Sequence, residues 1–226
     1  MEHRIPHRSA EFAATCDWNS PEWSAAPALE IANHWPTPHG FRPRVALRLQ
    51  WTDAALHGIF RVEDEHVLAR ATAFNELVCR DSCVEIFVEP LGGVGYCNFE
   101  FNPCGVKHIS HVRDPRRRPK ELGGFFYDFD FWTPSEGDQV AVAHSIDGPV
   151  TEERVGPCVW TLGFRIPFAT LLAHTGGPLP RAGAVWRFNA YKCGDDLSVP
   201  HWVSWNPVDT LNFHNPKCFG ELLFVG

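Results

Sequence analysis

The sequence predicts an all-β protein, a two-sheet antiparallel β-sandwich of jelly-roll type with at most one short helix. Apolar residues alternate with polar ones over many short segments, and this period of two residues is typical of a strand with one buried face. Turn-forming residues separate the segments, with 18 glycines and 19 prolines in 226 residues. Aromatic residues make up 13% of the chain, which indicates a thick core between two sheets or an aromatic binding surface.

The strand pattern recurs along the whole chain, and two pairs of segments are predicted to form hairpins. Residues 45–51 are followed after a short turn by residues 56–62, and residues 83–89 are followed after a glycine-rich turn by residues 96–101. Further strands are predicted at 105–110, 140–146, 158–166, 185–191 and 219–225. About ten strands with so little helical pattern favour two packed sheets.

Two segments depart from the strand pattern. Residues 168–173, just after Pro167, have the pattern of a short helix. Residues 113–120 contain five basic residues and two prolines, which predicts a solvated loop rather than a phosphate-binding patch. Since no linker or repeat divides the chain, we expect a single domain over residues 1–226, with residues 1–27 as an N-terminal extension.

Charge and composition exclude several classes of partner. The formal net charge is −7 and the isoelectric point about 5.9, so we expect neither nucleic acid nor a membrane as a partner. The chain contains no apolar run of membrane-spanning length and no signal-peptide pattern. The expected location is therefore cytoplasmic, or extracellular if a leader has been lost, and the eight cysteines are expected to be mostly reduced.

Catalytic and metal-binding motifs do not emerge from the sequence. The chain has no Gly-x-Ser-x-Gly, Cys-x-x-Cys or His-Glu-x-x-His motif, so we assign neither catalytic residues nor a metal site. A Cys/His dyad assembled only in space stays open. A glycosidase needs two carboxyl groups, and Glu85 and Glu100 on neighbouring predicted strands are the best candidates for such a pair.

Polar residues on the predicted strands also suit carbohydrate recognition, which needs planar polar groups for hydroxyls and an aromatic ring for the apolar sugar face. The polar-face candidates are Glu85, Tyr96, Asn98, Glu100, Arg187, Asn189 and Tyr191. Trp202 and Trp205 lie three residues apart, hence on opposite faces of an extended segment, so we expect the sheet to bury at most one. Trp205, with Trp202 beside it, is the expected stacking platform, and core packing of both is the alternative.

Several stretches form a recognisable series. They are Arg80-Asp81-Ser82-Cys83-Val84-Glu85-Ile86-Phe87-Val88, Tyr96-Cys97-Asn98-Phe99-Glu100-Phe101-Asn102, and the later segments at 186–195, 204–207, 212–214 and 219–222. The series resembles family 9 carbohydrate-binding modules and their family 9-like, DOMON-like relatives, in the same order along the chain. The resemblance implies a β-sandwich that holds a sugar between aromatic side chains and a polar set, with Glu85 at the acidic position and Trp205 as a stacking residue.

This chain departs from the family pattern at one position, and the family also suggests a metal ion. Cys79 stands where the family pattern would place an aromatic residue of the clamp, and Phe74 or Trp202 would then take its place. No cofactor is required, although structural calcium is an option that the family suggests, with Asp64, Asp195 and Asp196 available.

The leading hypothesis is non-catalytic binding of a mono- or oligosaccharide. The first alternative is a glycoside-active enzyme that uses Glu85 and Glu100. The second is a structural or protein-interaction sandwich that has lost sugar binding, which the residue at Cys79 favours.

Overall fold

The alternating segments form the strands of two packed β-sheets in this computed structural model, which describes the backbone of residues 1–226 and the side chains of residues 1–121 and 123–226. In chain order the strands are β1 (Glu2–Pro6), β2 (Ala28–Ile31), β3 (Asn33–His34), β4 (Arg44–Trp51), β5 (Ala55–Ala69), β6 (Cys83–Glu89), β7 (Tyr96–Phe101), β8 (Lys107–Arg117), β9 (Phe126–Phe131), β10 (Ala141–His144), β11 (Val150–Pro167), β12 (Val185–Gly194), β13 (His201–Ser204) and β14 (Gly220–Val225). The α-helices are α1 (Pro134–Gly137) and α2 (Phe168–Thr175). Short 3-10 helices lie at Pro21–Trp23, Val78–Arg80, Lys120–Leu122 and Pro216–Cys218.

Over the described backbone, the strands divide into a large sheet of nine and a small sheet of five. The large sheet has the order β1-β14-β12-β6-β7-β8-β9, with β13 paired to β12 and β3 paired to β13. The small sheet has the order β10-β11-β5-β4-β2. The paired strands are antiparallel except β1 and β14, which run parallel. The predicted two-sheet antiparallel sandwich is confirmed.

The inner faces of the two sheets enclose one apolar core. Val84, Ile86 and Val88 of β6 are fully buried against the other sheet. Phe60 and Val62 of β5 belong to the same core and come from the small sheet. Because successive strand residues face opposite sides, the residues between them in β6 point to the outer face of the large sheet.

Of the two α-helices, one was predicted from the sequence and the other, a single turn, was not. The predicted helix at 168–173 is confirmed as α2, which begins at Phe168 directly after Pro167 and ends before Gly176. The single turn α1 was not predicted, and it forms because Thr133 and Glu136 make a reciprocal capping box. No helical segment of the described chain has the length and apolarity of a membrane span.

The basic segment at 113–120 was predicted as a loop, and this is wrong for its first half. β8 continues through Arg117 and pairs with β9, a strand that the sequence analysis missed. The pairing has register shifts on either side of Asp114, and such bulges accommodate Pro115 within a strand. The alternating residues 126–131, Phe-Tyr-Asp-Phe-Asp-Phe, carried the signal for β9.

The N-terminal residues 1–27 were expected as an extension, but they are built into the sandwich. β1 pairs with β14 at the edge of the large sheet, and Ile5 is buried in the core. Trp23 is also buried and packs with Ala26 and Ile59 on the small sheet. An edge strand and a covering aromatic ring therefore come from a segment with little alternation of its own.

A buried ion pair crosses the core between the two sheets. The ammonium group of Lys192 on β12 lies 3.3 Å from Oδ2 of Asp64 on β5, and both side chains are fully buried. The same ammonium group donates to Nε2 of His201 at 2.7 Å and to the carbonyl oxygen of Cys193 at 3.0 Å.

Several partners of Asp64 together outweigh the desolvation of its carboxyl group. Burial opposes ionisation of Asp64, but the charge of Lys192 and hydrogen bonds from the backbone N–H groups of Glu65 and His66 lower the pKa of its carboxyl below the usual value. For His201, burial and the nearby ammonium group lower the pKa to about 3, so its ring is neutral and accepts from Lys192.

Replacing Lys192→Met should destabilise the fold by about 3–5 kcal/mol, because Asp64 would be left as an unpaired charge inside the core. Urea unfolding at neutral pH measures this free energy. Adding Asp64→Asn to Lys192→Met should recover most of the loss, and a single variant as stable as the wild type would contradict the role of the pair.

Candidate functional site

A cavity of about 370 Å³ opens on the outer face of the large sheet, above its central strands. Glu85 of β6 and Glu100 of β7 line it, together with His108 and Ser110 of β8 and Cys193 of β12. Strand alternation explains this set, because the inward neighbours of these residues fill the apolar core. The floor of the cavity therefore combines polar groups from four adjacent strands.

Aromatic side chains form two sides of the cavity. The strand order places β9 and β13 on either side of the central strands, so residues from both can close over the floor. The rings that line the cavity are Phe125, Phe126, Phe129 and Phe131 at β9, Trp202 of β13, and Phe213 and His214 from the loop before β14. The rings of His214 and Phe126 lie 4.6 Å apart, so this loop reaches β9.

The ring of Trp202 is held in place by a polar contact. Its Nε1 donates to Oδ1 of Asp195 at 2.8 Å, and Asp195 also lines the cavity. The same side chain packs against the cluster of Val78, Cys83 and Cys193. An indole ring fixed by one hydrogen bond and one apolar contact is pre-organised for stacking.

Glu85 and Glu100 form a buried carboxyl pair. They lie directly opposite each other on β6 and β7, and their residues are only 3% and 5% exposed. Nδ2 of Asn98 donates to Oε1 of Glu100 at 2.7 Å, and the thiol of Cys193 donates to Oε1 of Glu85 at 3.0 Å. Ser110 in turn donates to the amide oxygen of Asn98. The pair is thus oriented by neighbours on both sides.

Burial of the carboxyl groups favours their protonated forms. Desolvation and the nearby Glu100 raise the pKa of Glu85 well above its usual range. Desolvation also raises the pKa of Glu100. The pair therefore retains a proton at a pH where exposed glutamates are ionised, and it can both donate and accept hydrogen bonds.

Hydrogen bonds fix the ring orientation of two histidines at the cavity, His108 and His214. Nδ1 of His108 donates to the carbonyl oxygens of Asn75 at 3.2 Å and Glu76 at 3.1 Å, which fixes the orientation of its ring. Burial lowers the pKa of His214 well below its usual value, and Nδ1 of its neutral ring accepts from the hydroxyl of Tyr96 at 2.8 Å.

The structure places the predicted site residues in different environments. Glu85, Glu100 and Trp202 line the cavity, and Asn98 orients Glu100 from behind. Tyr96 is fully buried under the loop before β14, where its ring stacks on Phe87 at 5.6 Å. Tyr96 therefore supports the wall of the cavity and offers no surface to a ligand.

The expectation that Trp205 is the stacking platform is wrong. Trp205 is 1% exposed and its ring stacks on Phe188 in the core, with 4.3 Å between ring centroids. Its backbone N–H donates to the carbonyl oxygen of Ala190, which extends the pairing with β12 and turns the indole inward. Of the two tryptophans, Trp202 is therefore the one that faces the cavity.

Asn189 and Arg187 hold the loop before β14 instead of lining the cavity. Nδ2 of Asn189 donates to the carbonyl oxygens of Asn206 at 3.0 Å and Cys218 at 3.1 Å. Arg187 donates to the carbonyl oxygen of Pro216 at 2.6 Å and pairs with Glu89. Both side chains fasten the segment that carries Phe213 and His214.

The residues discussed for the clamp and for calcium also have defined places. Cys79 lines the cavity, whereas Phe74 packs against the core. Asp64 pairs with Lys192, Asp195 accepts from Trp202, and Asp196 lies 3.4 Å from Arg70. Each of the three aspartates is thus engaged by a different partner, and calcium binding stays a prediction.

Several cavity residues were missed by the sequence analysis. They are Phe125, Phe126, Phe129 and Phe131 near β9, Phe213 and His214 before β14, and Leu77, Arg80, His108, Ser110, Arg117, Leu211 and Asn212. The alternation of Phe and Asp in 126–131 was the one local signal for a wall. The loop residues do not alternate, and only the tertiary fold brings them over the sheet. Residues 212–214 belong to the stretches that resemble family 9, but the resemblance did not assign them to the site.

The protonated state of Glu85 should make stability depend on pH. The pKa of Glu85 is higher in the folded state than in the unfolded chain. The stability that protonated Glu85 contributes is therefore complete below its unfolded-state pKa of about 4.3, and it is lost as pH rises through its folded-state pKa. Relative to Glu85→Gln, which lacks this titration, the wild type should lose stability as pH rises. Urea unfolding of both proteins across that range tests this, and a constant difference would contradict it.

Known proteins support the architecture seen here. A family model described as Carbohydrate-binding family 9 matches residues 24–224. No curated protein matches the sequence. A presumed carbohydrate-binding protein from Bacteroides uniformis ATCC 8492 is 28% identical, with a TM-score of 0.84 over 99% of this chain and 98% of that chain.

Structures of a family 9 carbohydrate-binding module from Caldicellulosiruptor kristjanssonii share the fold at 15% identity and a TM-score of 0.64. The complex with glucose covers 99% of this chain and 96% of that chain. The complex with cellotriose covers 100% and 94%. With a family model that spans most of the sequence, the resemblance predicted from the residues is confirmed, and the chain belongs to carbohydrate-binding family 9.

Proposed function

We propose that the protein binds a mono- or oligosaccharide, without catalysis, in the cavity above Glu85 and Glu100. One observation carries the proposal, the combination of aromatic walls with a floor of buried carboxyl groups. A sugar presents apolar C–H faces and a rim of hydroxyls, and these two surfaces match the walls and the floor. The membership of family 9 supports the same function.

The charge state of the floor suits neutral hydroxyl groups. A hydroxyl both donates and accepts, and a carboxyl pair in which burial raises both pKa values offers a donor and acceptors. Arg80 and Asp195 also line the cavity and provide further donors and acceptors at its rim. Groups already fixed by neighbours lose little conformational freedom when the ligand binds.

The size of the cavity favours a small ligand with room for extension. About 370 Å³ lies near the lower end of the range for small-molecule sites, roughly 300–1,000 Å³. A second cavity of about 580 Å³ shares Leu77, Arg80, His108, Phe125 and Phe131 with the first. We infer that one sugar ring occupies the first cavity and that a longer chain continues into the second. The Caldicellulosiruptor module in complex with cellotriose supports this arrangement by analogy.

The geometry of the carboxyl pair favours binding over hydrolysis. Glycoside hydrolysis places one carboxyl group on each side of the scissile bond. Glu85 and Glu100 instead lie side by side on adjacent strands of one floor, so both approach a ligand from the same direction. The glycosidase alternative therefore has less support than recognition.

Replacing Trp202→Ala should weaken sugar binding by roughly tenfold or more, because it removes an aromatic wall whose stacking contributes about 1.5 kcal/mol or more. Calorimetric titration with glucose and cellotriose measures the change. Trp18→Ala is the matched control, since Trp18 is half-buried beside the small sheet and packs under Arg48. Equal affinities for the two variants would remove Trp202 from the site, and no binding by the wild type would favour the interaction-domain alternative.

Hydrolysis is tested separately with aryl glycosides. We expect no turnover by the purified wild type above that of Glu85→Gln, because Glu85 and Glu100 approach a ligand from the same direction. Release of the aryl group is followed by absorbance. Turnover by the wild type that is abolished in Glu85→Gln would establish the glycosidase instead.

A further inference from the structure

A cluster of metal-ligating side chains lies under Trp202 at the base of the cavity. Cys83, Glu85 and Cys193 each offer one ligand atom, and these three atoms all lie within 4.8 Å of one another. Among the side chains that the structure describes, this is the one group of three or more with such spacing. All three residues are buried, so the cluster is not a chance meeting of flexible surface groups.

The backbone holds the three side chains rigidly. Cys83 and Cys193 are directly paired across β6 and β12, and Glu85 follows two residues later on β6, hence on the same face. These strands lie in the middle of the large sheet. The thiol of Cys193 is already 3.0 Å from Oε1 of Glu85. Ligands on central strands need little ordering when an ion binds.

The donor set selects the class of ion. Calcium and magnesium prefer oxygen ligands, whereas two thiolates with one carboxylate suit a softer divalent ion such as Zn²⁺. Zinc bonds to sulfur and oxygen place tetrahedral ligand atoms roughly 3.5–3.8 Å apart. The three atoms of the cluster lie within 4.8 Å of one another, so a tetrahedral ion would need to draw them together by only about 1 Å.

The cluster is also accessible from the cavity. Glu85 and Cys193 line the cavity wall, and so does Cys79, whose carbonyl oxygen accepts from the thiol of Cys193 at 3.6 Å. A tetrahedral ion held by three protein ligands has a fourth coordination position. On the cavity side, Cys79, water or a ligand hydroxyl could fill that position.

We propose that Cys83, Glu85 and Cys193 form a binding site for one thiophilic divalent metal ion of the Zn²⁺ type. The site goes beyond carbohydrate recognition and does not require it. Binding of the ion would release the thiol protons of Cys83 and Cys193 and the carboxyl proton of Glu85 to solvent. Because Glu85 belongs to both sites, the ion would occupy one carboxylate oxygen that otherwise faces the sugar.

The test is a titration of the full-length, reduced, metal-free protein with Co²⁺, a coloured substitute for Zn²⁺, followed by displacement with Zn²⁺. We expect one equivalent of Co²⁺ to bind and to produce thiolate-to-cobalt charge-transfer absorption, which Zn²⁺ then removes. Cys83→Ala and Cys193→Ala should each lose most of this absorption. Glu85→Gln keeps the size of the side chain and should weaken binding by roughly tenfold or more.

Cys97→Ala is the matched control, because Cys97 is a fully buried thiol of the same sheet that faces the apolar core. It should retain the full absorption. The proposal is overturned if the wild type shows no charge-transfer band, or if the band persists in Cys83→Ala and Cys193→Ala. Glu85→Gln keeps the test decisive if a cysteine variant does not fold, since unchanged metal affinity in that variant would also contradict the site.

Sugar binding is measured in parallel on the metal-free protein. Glucose binding without metal binding would overturn the metal site and leave the proposed function intact. Metal binding without any sugar binding would overturn the proposed function and leave the metal site intact. The two proposals therefore fail independently.

Discussion

Burial of the central strands on both faces is the constraint on which the rest of the structure depends. Every residue of β6 and β7 is buried, because one face packs against the small sheet and the other lies under the aromatic residues of β9 and the loop before β14. A polar group on such a strand is removed from water, so it needs a hydrogen-bond partner within the protein. The polar residues of these strands are therefore tied to specific neighbours, and those ties create the site.

The strand β12 shows how the same constraint acts in two directions. Lys192 faces inward, where its ion pair with Asp64 joins the two sheets and His201 accepts a hydrogen bond from it. Cys193 faces outward and donates its thiol to Glu85 at the base of the cavity. One residue contributes to the fold and its neighbour to the site. The carbohydrate and metal proposals thus both rest on a rigid floor rather than on mobile loops.

The walls of the cavity depend on support from residues that no ligand would touch. Asn189 and Arg187 bind backbone carbonyls of the loop before β14, and Tyr96 holds His214 in that loop. Asn98 plays the same part for Glu100 on the floor. These residues resemble binding residues in the sequence because they are planar, polar and placed on the outer face. They act on the ligand only through the side chains that they position.

The sequence by itself determined most of the long strands, the sandwich, the family and the acidic floor, because alternation assigns Glu85 and Glu100 to one face and the core residues to the other. It did not decide the pairing of β1, the strand β9 or the loop that covers Tyr96, since these depend on contacts between residues far apart in the chain. Nor did it distinguish Trp202 from Trp205. Local period shows that the two rings face opposite sides, but only the packing of Phe188 against Trp205 decides which side is the core.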